Sequence, residues 1–229
     1  GNEQLVFVAS QGVSTMLGTI DADGSNLKPM KVTEGLNIGG IDRAKNGSLA
    51  FTANSSQFPD EAFTLPTDME EAQRLTISNP WLAERELAKQ EVIKYDARDG
   101  QSLEGILIHP LDKKENKEYP MVTIVHGGPE SHYDNGWLTY YSVAGQMAAT
   151  EGYYVFYPNY RGSTGRGVDF AMSSQGDPAG KEFDDIVDGV DHLLENYNID
   201  EDKVGVTGGS YGGYATGWMA TKYTDRFAA

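Results

Sequence analysis

The sequence predicts an α/β protein whose parallel sheet is preceded by a run of antiparallel strands, and three observations predict it. Apolar segments of the fully buried type, "YPMVTIV" (119–125), "YYVFYPN" (153–159) and "KVGVTGG" (203–209), alternate with helical patterns in the second half of the chain. Such alternation marks parallel strands joined by crossover helices. In the first 77 residues, short strand-like runs instead follow one another with only turn chemistry between them, which suits antiparallel pairing. The balance of 39% apolar residues, with 10% aromatics, is that of an ordinary globular chain of 229 residues.

Taken in order, "QLVFVAS" and "TMLGTID" lead into the turn "DADGSN", and "LKPMKVT", "IGGIDRAKNG", "SLAFTANS", "EAFTLPTD" and "QRLTIS" follow. Asp23-Gly24 and Asn46-Gly47 hold hairpin-turn positions. Residues 38–78 would supply four strands, about one propeller blade, and residues 4–33 most of another. The polar stretch "NPWLAERELAKQ" (79–90) is read as a connector, so that 1–78 and 91–229 are separate domains. "EVIKYDARDGQSLEGILIHP" predicts a hairpin turning at Asp99-Gly100, and "YYSVAGQMAATEG" a helix ending at Gly152. In "KEFDDIVDGVDHLLENYNI", Phe183, Ile186, Val187, Val190, Leu193, Leu194 and Tyr197 recur at helical spacing. Asp184, Asp185, Asp188, Asp191 and Glu195 take the opposite face, which is read as solvated.

A net charge of −16 argues against nucleic acid or an anionic membrane surface as partner. The absence of cysteine removes disulfides, thiolate metal sites and a thiol nucleophile. No run reaches the roughly eighteen apolar residues of a membrane span, and "GNEQLVFVAS" lacks the basic n-region of a signal peptide. The compartment is left undetermined. No cofactor and no metal are expected: "DADGSN" has its glycine at the fourth place, where a calcium loop needs it at the sixth, and no glutamate at the twelfth position, and "GSTGRG" lacks the Gly-Lys-Ser/Thr ending of a phosphate loop. Asn46-Gly47-Ser48 and Asn54-Ser55-Ser56 match glycosylation sequons, relevant only in a eukaryotic secretory host.

Chemistry concentrates in Gly208-Gly209-Ser210-Tyr211-Gly212, a G-x-S-x-G pattern with a strand before it and a helical pattern after. A serine presented at so sharp a turn needs small residues two before and two after, which Gly208 and Gly212 supply. His126-Gly127-Gly128-Pro129 directly follows another strand. A glycine loop there, with the residue after the nucleophile, is where acyl-transfer enzymes find N–H donors for a developing oxyanion. That assigns the backbone N–H groups of Gly128 and Tyr211; Pro129 has none to give. His126 is read as a packing residue, because in that order of motifs the base follows the serine.

"HGGP", "NYRGSTGRG" and "GGSYGGY", in this order and about 35 and 50 residues apart, resemble the prolyl oligopeptidase family of serine peptidases, especially its acylaminoacyl-peptidase and dipeptidyl-peptidase-like members. The resemblance is carried by motifs over about 90–229 and by architecture alone before that. It implies a partial α/β-hydrolase sheet preceded by the terminal blades of a β-propeller, with Ser210 as nucleophile and a peptide as substrate. It also implies that Tyr160 and Arg161 lie on a substrate-side loop; for Arg161 a structural salt bridge is the equal alternative.

The family order is serine, acid, histidine, yet His109, His126, His132 and His192 all precede Ser210, and Asp225 is the one acid among the nineteen residues after it. The triad acid and histidine are therefore expected outside this chain, which is expected to be an interior piece of a longer enzyme and inactive alone. The elbow strand would then be an unpaired edge, open to pairing with other chains. Two other readings keep the residues and change the function: an α/β-hydrolase esterase for small acyl esters, or a non-catalytic binding or scaffold protein.

Overall fold

The computed structural model describes residues 4–69 and 71–229. It divides into two units, Gly1–Glu86 with Asp134–Trp137, and Leu87–Tyr133 with Leu138–Ala229.

The first unit holds two antiparallel meanders. β1 (Gln4–Gln11), β2 (Ser14–Asp21) and β3 (Lys28–Pro29) form one; β4 (Asn37–Arg43), β5 (Leu49–Ser55), β6 (Phe58–Leu65) and β7 (Gln73–Arg74) form the other. The period-2 pattern decides which side chains go inside: in β5, Leu49, Phe51 and Ala53 are buried while Ala50 and Thr52 between them are exposed. They pack with Leu17, Ile38, Phe63 and Leu65, and Phe51 stacks on Phe63 at 5.7 Å. The run "LKPMKVT" gives a shorter strand than its pattern predicts, only Lys28–Pro29, since Pro29 has no N–H for a ladder. "QRLTIS" likewise pairs only over Gln73–Arg74, and its later polar groups turn to Glu61.

Glu61 is an interior carboxylate of β6, with its side chain fully buried. It accepts hydrogen bonds from the Thr76 hydroxyl, from Ser78 N at 2.7 Å and Oγ at 3.0 Å, and from Arg74 Nη2 at 3.0 Å. Burial alone would raise its pKa; these donors outweigh burial and hold it at about 2.

In the second unit, the hairpin β8 (Gln90–Asp96) and β9 (Ser102–Ile108) precedes β10 (Tyr119–Val125), β11 (Tyr154–Asn159) and β12 (Ile199–Gly208). The sheet order is β12-β10-β11-β9-β8, with β10 parallel to both β11 and β12 and the hairpin antiparallel to β11. From β10 the chain crosses to β11 through α1 (Gly145–Thr150), then returns past α2 (Val168–Ala171) and α3 (Lys181–Asn196) to β12 on the other side. The connections thus diverge at the carboxyl ends of β10 and β12, the switch point where α/β sheets leave a crevice. α4 (Tyr211–Lys222) is the last of the described elements. Alternate residues of the strands, Leu103, Leu107, Met121, Val125, Tyr154, Phe156, Val204 and Val206, share one core cluster with Phe183, Ile186, Val190 and Leu193 of α3 and with Ala215 and Met219 of α4. No helix among the described residues is long and apolar enough to cross a membrane.

Two expectations change. The face of α3 read as solvated is not uniformly so: Asp185 is fully buried, drawn inward by the Arg161 guanidinium, whose Nη2 lies 2.6 Å from Asp185 Oδ1. β12 is an edge of the sheet, yet its outer side is partly occupied, with Ala228 N donating to Val204 O and Val206 N donating to Ala229 O, each at 2.8 Å.

Gly189 lies where α3 crosses the sheet; a Cβ there would come within 2.8 Å of the Tyr95 ring and 2.9 Å of Phe156. Gly189→Ala is therefore expected to lower stability by about 1–3 kcal/mol by overpacking, despite alanine's better helix propensity. Gly217→Ala, at an exposed α4 position with open space around the Cβ, is expected to raise it by up to about 1 kcal/mol. Urea midpoints of the two variants check the contrast. Because the Glu61 pKa is depressed on folding, its stabilisation is complete above the unfolded value near 4.5 and is lost as pH falls toward 2. Glu61→Gln is expected to flatten that part of the acid-unfolding profile, measured by circular dichroism.

Candidate active site

The last register pair of β10 and β12 is Val125 with Gly208, so the chain leaves both strands side by side. His126–Pro129 follows one and Gly209–Ser210 the other. Ser210 takes φ 56° and ψ −120°, a backbone region that favours glycine and that strains a residue with a side chain. It stands between β12 and the first residue of α4, with Gly212 N donating to Gly209 O at 2.9 Å and Gly213 N to Ser210 O at 3.0 Å. A Cβ at Gly208 would meet Val125 O at 2.5 Å, and one at Gly212 would meet it at 2.1 Å. The two glycines that flank the serine are thus required by close backbone approach, as the motif predicts.

The glycine loop lies against the serine. A Cβ on Gly127 would come within 3.1 Å of Ser210 Cβ and 3.6 Å of its Oγ. Gly128 adopts φ 127°, and a Cβ there would strike Glu130 N at 2.6 Å. Tyr211 opens α4, whose first-turn N–H groups have no acceptor within the helix. The structure therefore brings Ser210, the loop of Gly127 and Gly128, and the N-terminus of α4 together.

Tyr160 and Arg161 take buried positions with their polar groups committed. The Tyr160 ring stacks on His126 at 4.3 Å between centroids, and its hydroxyl donates to His126 O at 2.9 Å. Arg161 donates through Nε and Nη2 to Asp185 and through Nη1 and Nη2 to Asp99, at 2.6–2.8 Å. The contacts it forms are those of the structural salt bridge, and they hold the Asp99 carboxyl well below its usual range. Both side chains are buried, Tyr160 against His126 and Arg161 between Asp99 and Asp185.

Each histidine has partners of its own. His126 is buried, with Nδ1 2.8 Å from Gly127 O and Nε2 2.9 Å from Ser163 Oγ. Burial pushes its pKa down to about 4, which leaves a neutral ring of weak basicity at pH 7. His109 Nε2 meets Glu91 at 2.6 Å, His132 Nδ1 meets Thr164 Oγ1 at 2.6 Å, and His192 stacks on Tyr95. Asp225 is exposed beyond α4. No group of three or more His, Cys, Asp or Glu residues fit to hold a metal ion occurs among the described residues.

One participant is not apparent from the sequence. Glu182, on the first turn of α3, is fully buried and accepts from the Tyr211 hydroxyl at 2.8 Å. A helix-start acid and a phenol beside the elbow are the available signal, but nothing in the sequence brings residues 182 and 211 together.

The chain is similar to known peptidases. Residues 139–229 match the model of the prolyl oligopeptidase family. An uncharacterized peptidase of Bacillus subtilis, YuxL, is 36% identical over 172 residues, which are 75% of this chain and 25% of that protein. Dipeptidyl aminopeptidase BIII of Pseudoxanthomonas mexicana is 36% identical over 161 residues, 68% of this chain and 23% of its own length. The acylaminoacyl peptidase of Pyrococcus horikoshii superposes with a TM-score of 0.82 at 26% identity, covering 96% of this chain and 34% of that one. The chain thus spans about a quarter of these curated relatives and about a third of that solved structure. With the elbow and the glycine loop in place, the chain belongs to the prolyl oligopeptidase family.

Proposed function

We propose that this chain is part of a serine peptidase that cleaves short peptides through an acyl-enzyme, with Ser210 as nucleophile. In this reading residues 1–78 belong to the terminal blades of a β-propeller, 79–90 are a connector, and residues 91–229 are the N-terminal part of an α/β-hydrolase domain. The observation that carries it is Ser210 at φ 56°, held in a strained elbow with the Gly127 backbone packed against its side chain. Strain of this kind persists only where surrounding structure fixes it, and here it lifts a hydroxyl out of the strand-to-helix turn. The relatives named dipeptidyl aminopeptidase and acylamino-acid-releasing enzyme support a peptide as substrate.

Ser210 Oγ attacks the scissile carbonyl carbon, and the carbonyl oxygen takes up negative charge. The N–H groups of Gly128 and Tyr211 donate to that oxygen. The tetrahedral intermediate collapses with loss of the amine, and water resolves the ester on Ser210. A base must take the serine proton and hand it to the leaving amine. His126, neutral and engaged with Gly127 and Ser163, does not fill that role. The triad histidine and acid come from sequence outside residues 1–229, and the 229-residue chain alone is inactive.

Isolated residues 1–229 are expected to react with a fluorophosphonate probe at least ~10³-fold more slowly than a complete enzyme, since a serine without its base is a weak nucleophile. Mass spectrometry of the labelled serine checks this; labelling at a rate typical of serine hydrolases overturns the inactivity. In the complete enzyme, Ser210→Ala is expected to abolish hydrolysis of peptide anilides. Gly128→Ala is expected to lower kcat by roughly 10²-fold by displacing one oxyanion donor.

A further inference from the structure

We propose that Glu182 is a positioning residue for the oxyanion site: its buried carboxyl group holds Tyr211 by the hydroxyl and thereby fixes the aim of the backbone N–H that follows Ser210. This rests on the reading of Ser210 as nucleophile.

Glu182 lies on the first turn of α3, where an acidic side chain ordinarily caps the helix. Here it instead reaches the chain leading into the helix, with Oε1 accepting from Ala179 N at 2.6 Å, just before the N-cap Gly180, at a residue held at φ 61°. That contact alone does not require full burial, since exposed polar side chains hold the chain at helix starts well, and burying a carboxyl group is costly. Glu182 nevertheless has no exposed surface, and its Oε2 has no hydrogen-bond partner among the described residues. What its burial gains is a second donor on Oε1, the Tyr211 hydroxyl at 2.8 Å.

The neighbouring residue completes the grip. The Phe183 ring packs against the Tyr211 ring at 5.5 Å, so two consecutive residues of α3 hold the ring and the hydroxyl of one side chain. Tyr214 closes the ring from α4 at 5.6 Å. α3 is itself tied down one turn further on, where buried Asp185 accepts from the Arg161 backbone N at 2.9 Å and from its guanidinium. Burial first, and then the Glu182 carboxyl, raise the Tyr211 phenol above its ordinary pKa, so it remains a proton donor across the working range.

The N–H at stake belongs to the peptide joining Ser210 to Tyr211. Its direction is set by ψ of Ser210 and φ of Tyr211, at the most strained point of the elbow. Anchoring Tyr211 at its far end fixes one of those two residues against a rigid helix. An oxyanion donor acts only when it points at the place where charge develops, so small misalignments cost rate.

The test uses the complete peptidase that carries this chain, with a peptide p-nitroanilide as substrate. Tyr211→Phe, which removes one oxygen, and Glu182→Ala are each expected to lower kcat roughly tenfold while KM stays within about twofold, because the contact matters in the transition state. The double variant is expected to be no slower than the slower single variant, since both act through one bond. Glu182→Gln keeps an acceptor oxygen for Tyr211 and is expected to recover kcat to within about threefold of the parent. A kcat for Tyr211→Phe within twofold of the parent, a loss confined to KM, or losses that multiply in the double variant would each overturn the proposal. Where Glu182→Ala does not fold, Tyr211→Phe and Glu182→Gln decide on the same kcat criterion. Full hydrolysis by Ser210→Ala is a separate outcome: it removes the nucleophile reading, and the proposal with it.

Discussion

The carbonyl oxygen of Val125 sets the terms for the whole site. It stands 2.1 Å from where a Cβ of Gly212 would be and 2.5 Å from that of Gly208, so both positions must lack side chains for α4 to start directly over the end of β10. A side chain at either place would push β12 or α4 away and break the last register pair, Val125 with Gly208. With it would go the adjacency of the two loops that leave those strands. The strain at Ser210 follows from the same crowding, because a chain that must turn from strand to helix within two residues has no relaxed path for the residue at the apex.

Around this apex the second unit buries polar groups that are matched to partners. Arg161 joins Asp99 to Asp185, Tyr160 and Ser163 hold His126 by ring and by hydroxyl, and Glu182 joins the chain entering α3 at Ala179 to Tyr211. Their common feature is location beneath or beside loops rather than in the apolar centre. Loops carry backbone groups that sheets and helices do not satisfy, and buried side chains with fixed geometry are the means of fixing such segments. The first unit uses the same device at Glu61, which gathers polar groups of Arg74, Thr76 and Ser78 that the short β7 leaves unpaired.

Much of this is legible in the residues. Hairpin glycines, the four-strand count of 38–78, the Asp99-Gly100 turn, the parallel strands after residue 119 and the amphipathic stripe of α3 all depend on local chemistry that a sequence displays directly. The elbow is legible for the same reason, since two glycines at fixed spacing around a serine report a local steric demand. The departures share one cause. Asp185 and Glu182 sit where helical periodicity puts charge outward, and the partners that draw them inside, Arg161 and Tyr211, come from other elements of the chain. The partners of Tyr160 and Arg161, His126 on one side and Asp99 and Asp185 on the other, likewise lie 24 to 62 residues away along the chain and are not legible locally.

By itself the sequence determined the elements and their order, the conformational requirement at Ser210, the identity of the glycine loop, and the placing of every histidine of this chain before Ser210. These are properties of neighbours along the chain, governed by steric limits on φ and ψ and by the two periodicities of helix and strand. Only the tertiary structure decided which polar groups are buried, that Gly127 packs on Ser210, and that the first turn of α3 reaches the residue after it. Pairings of that kind depend on where crossovers deliver side chains 24 to 62 residues apart. No local propensity encodes such distances; they are set when α3 and the loops pack against the finished sheet.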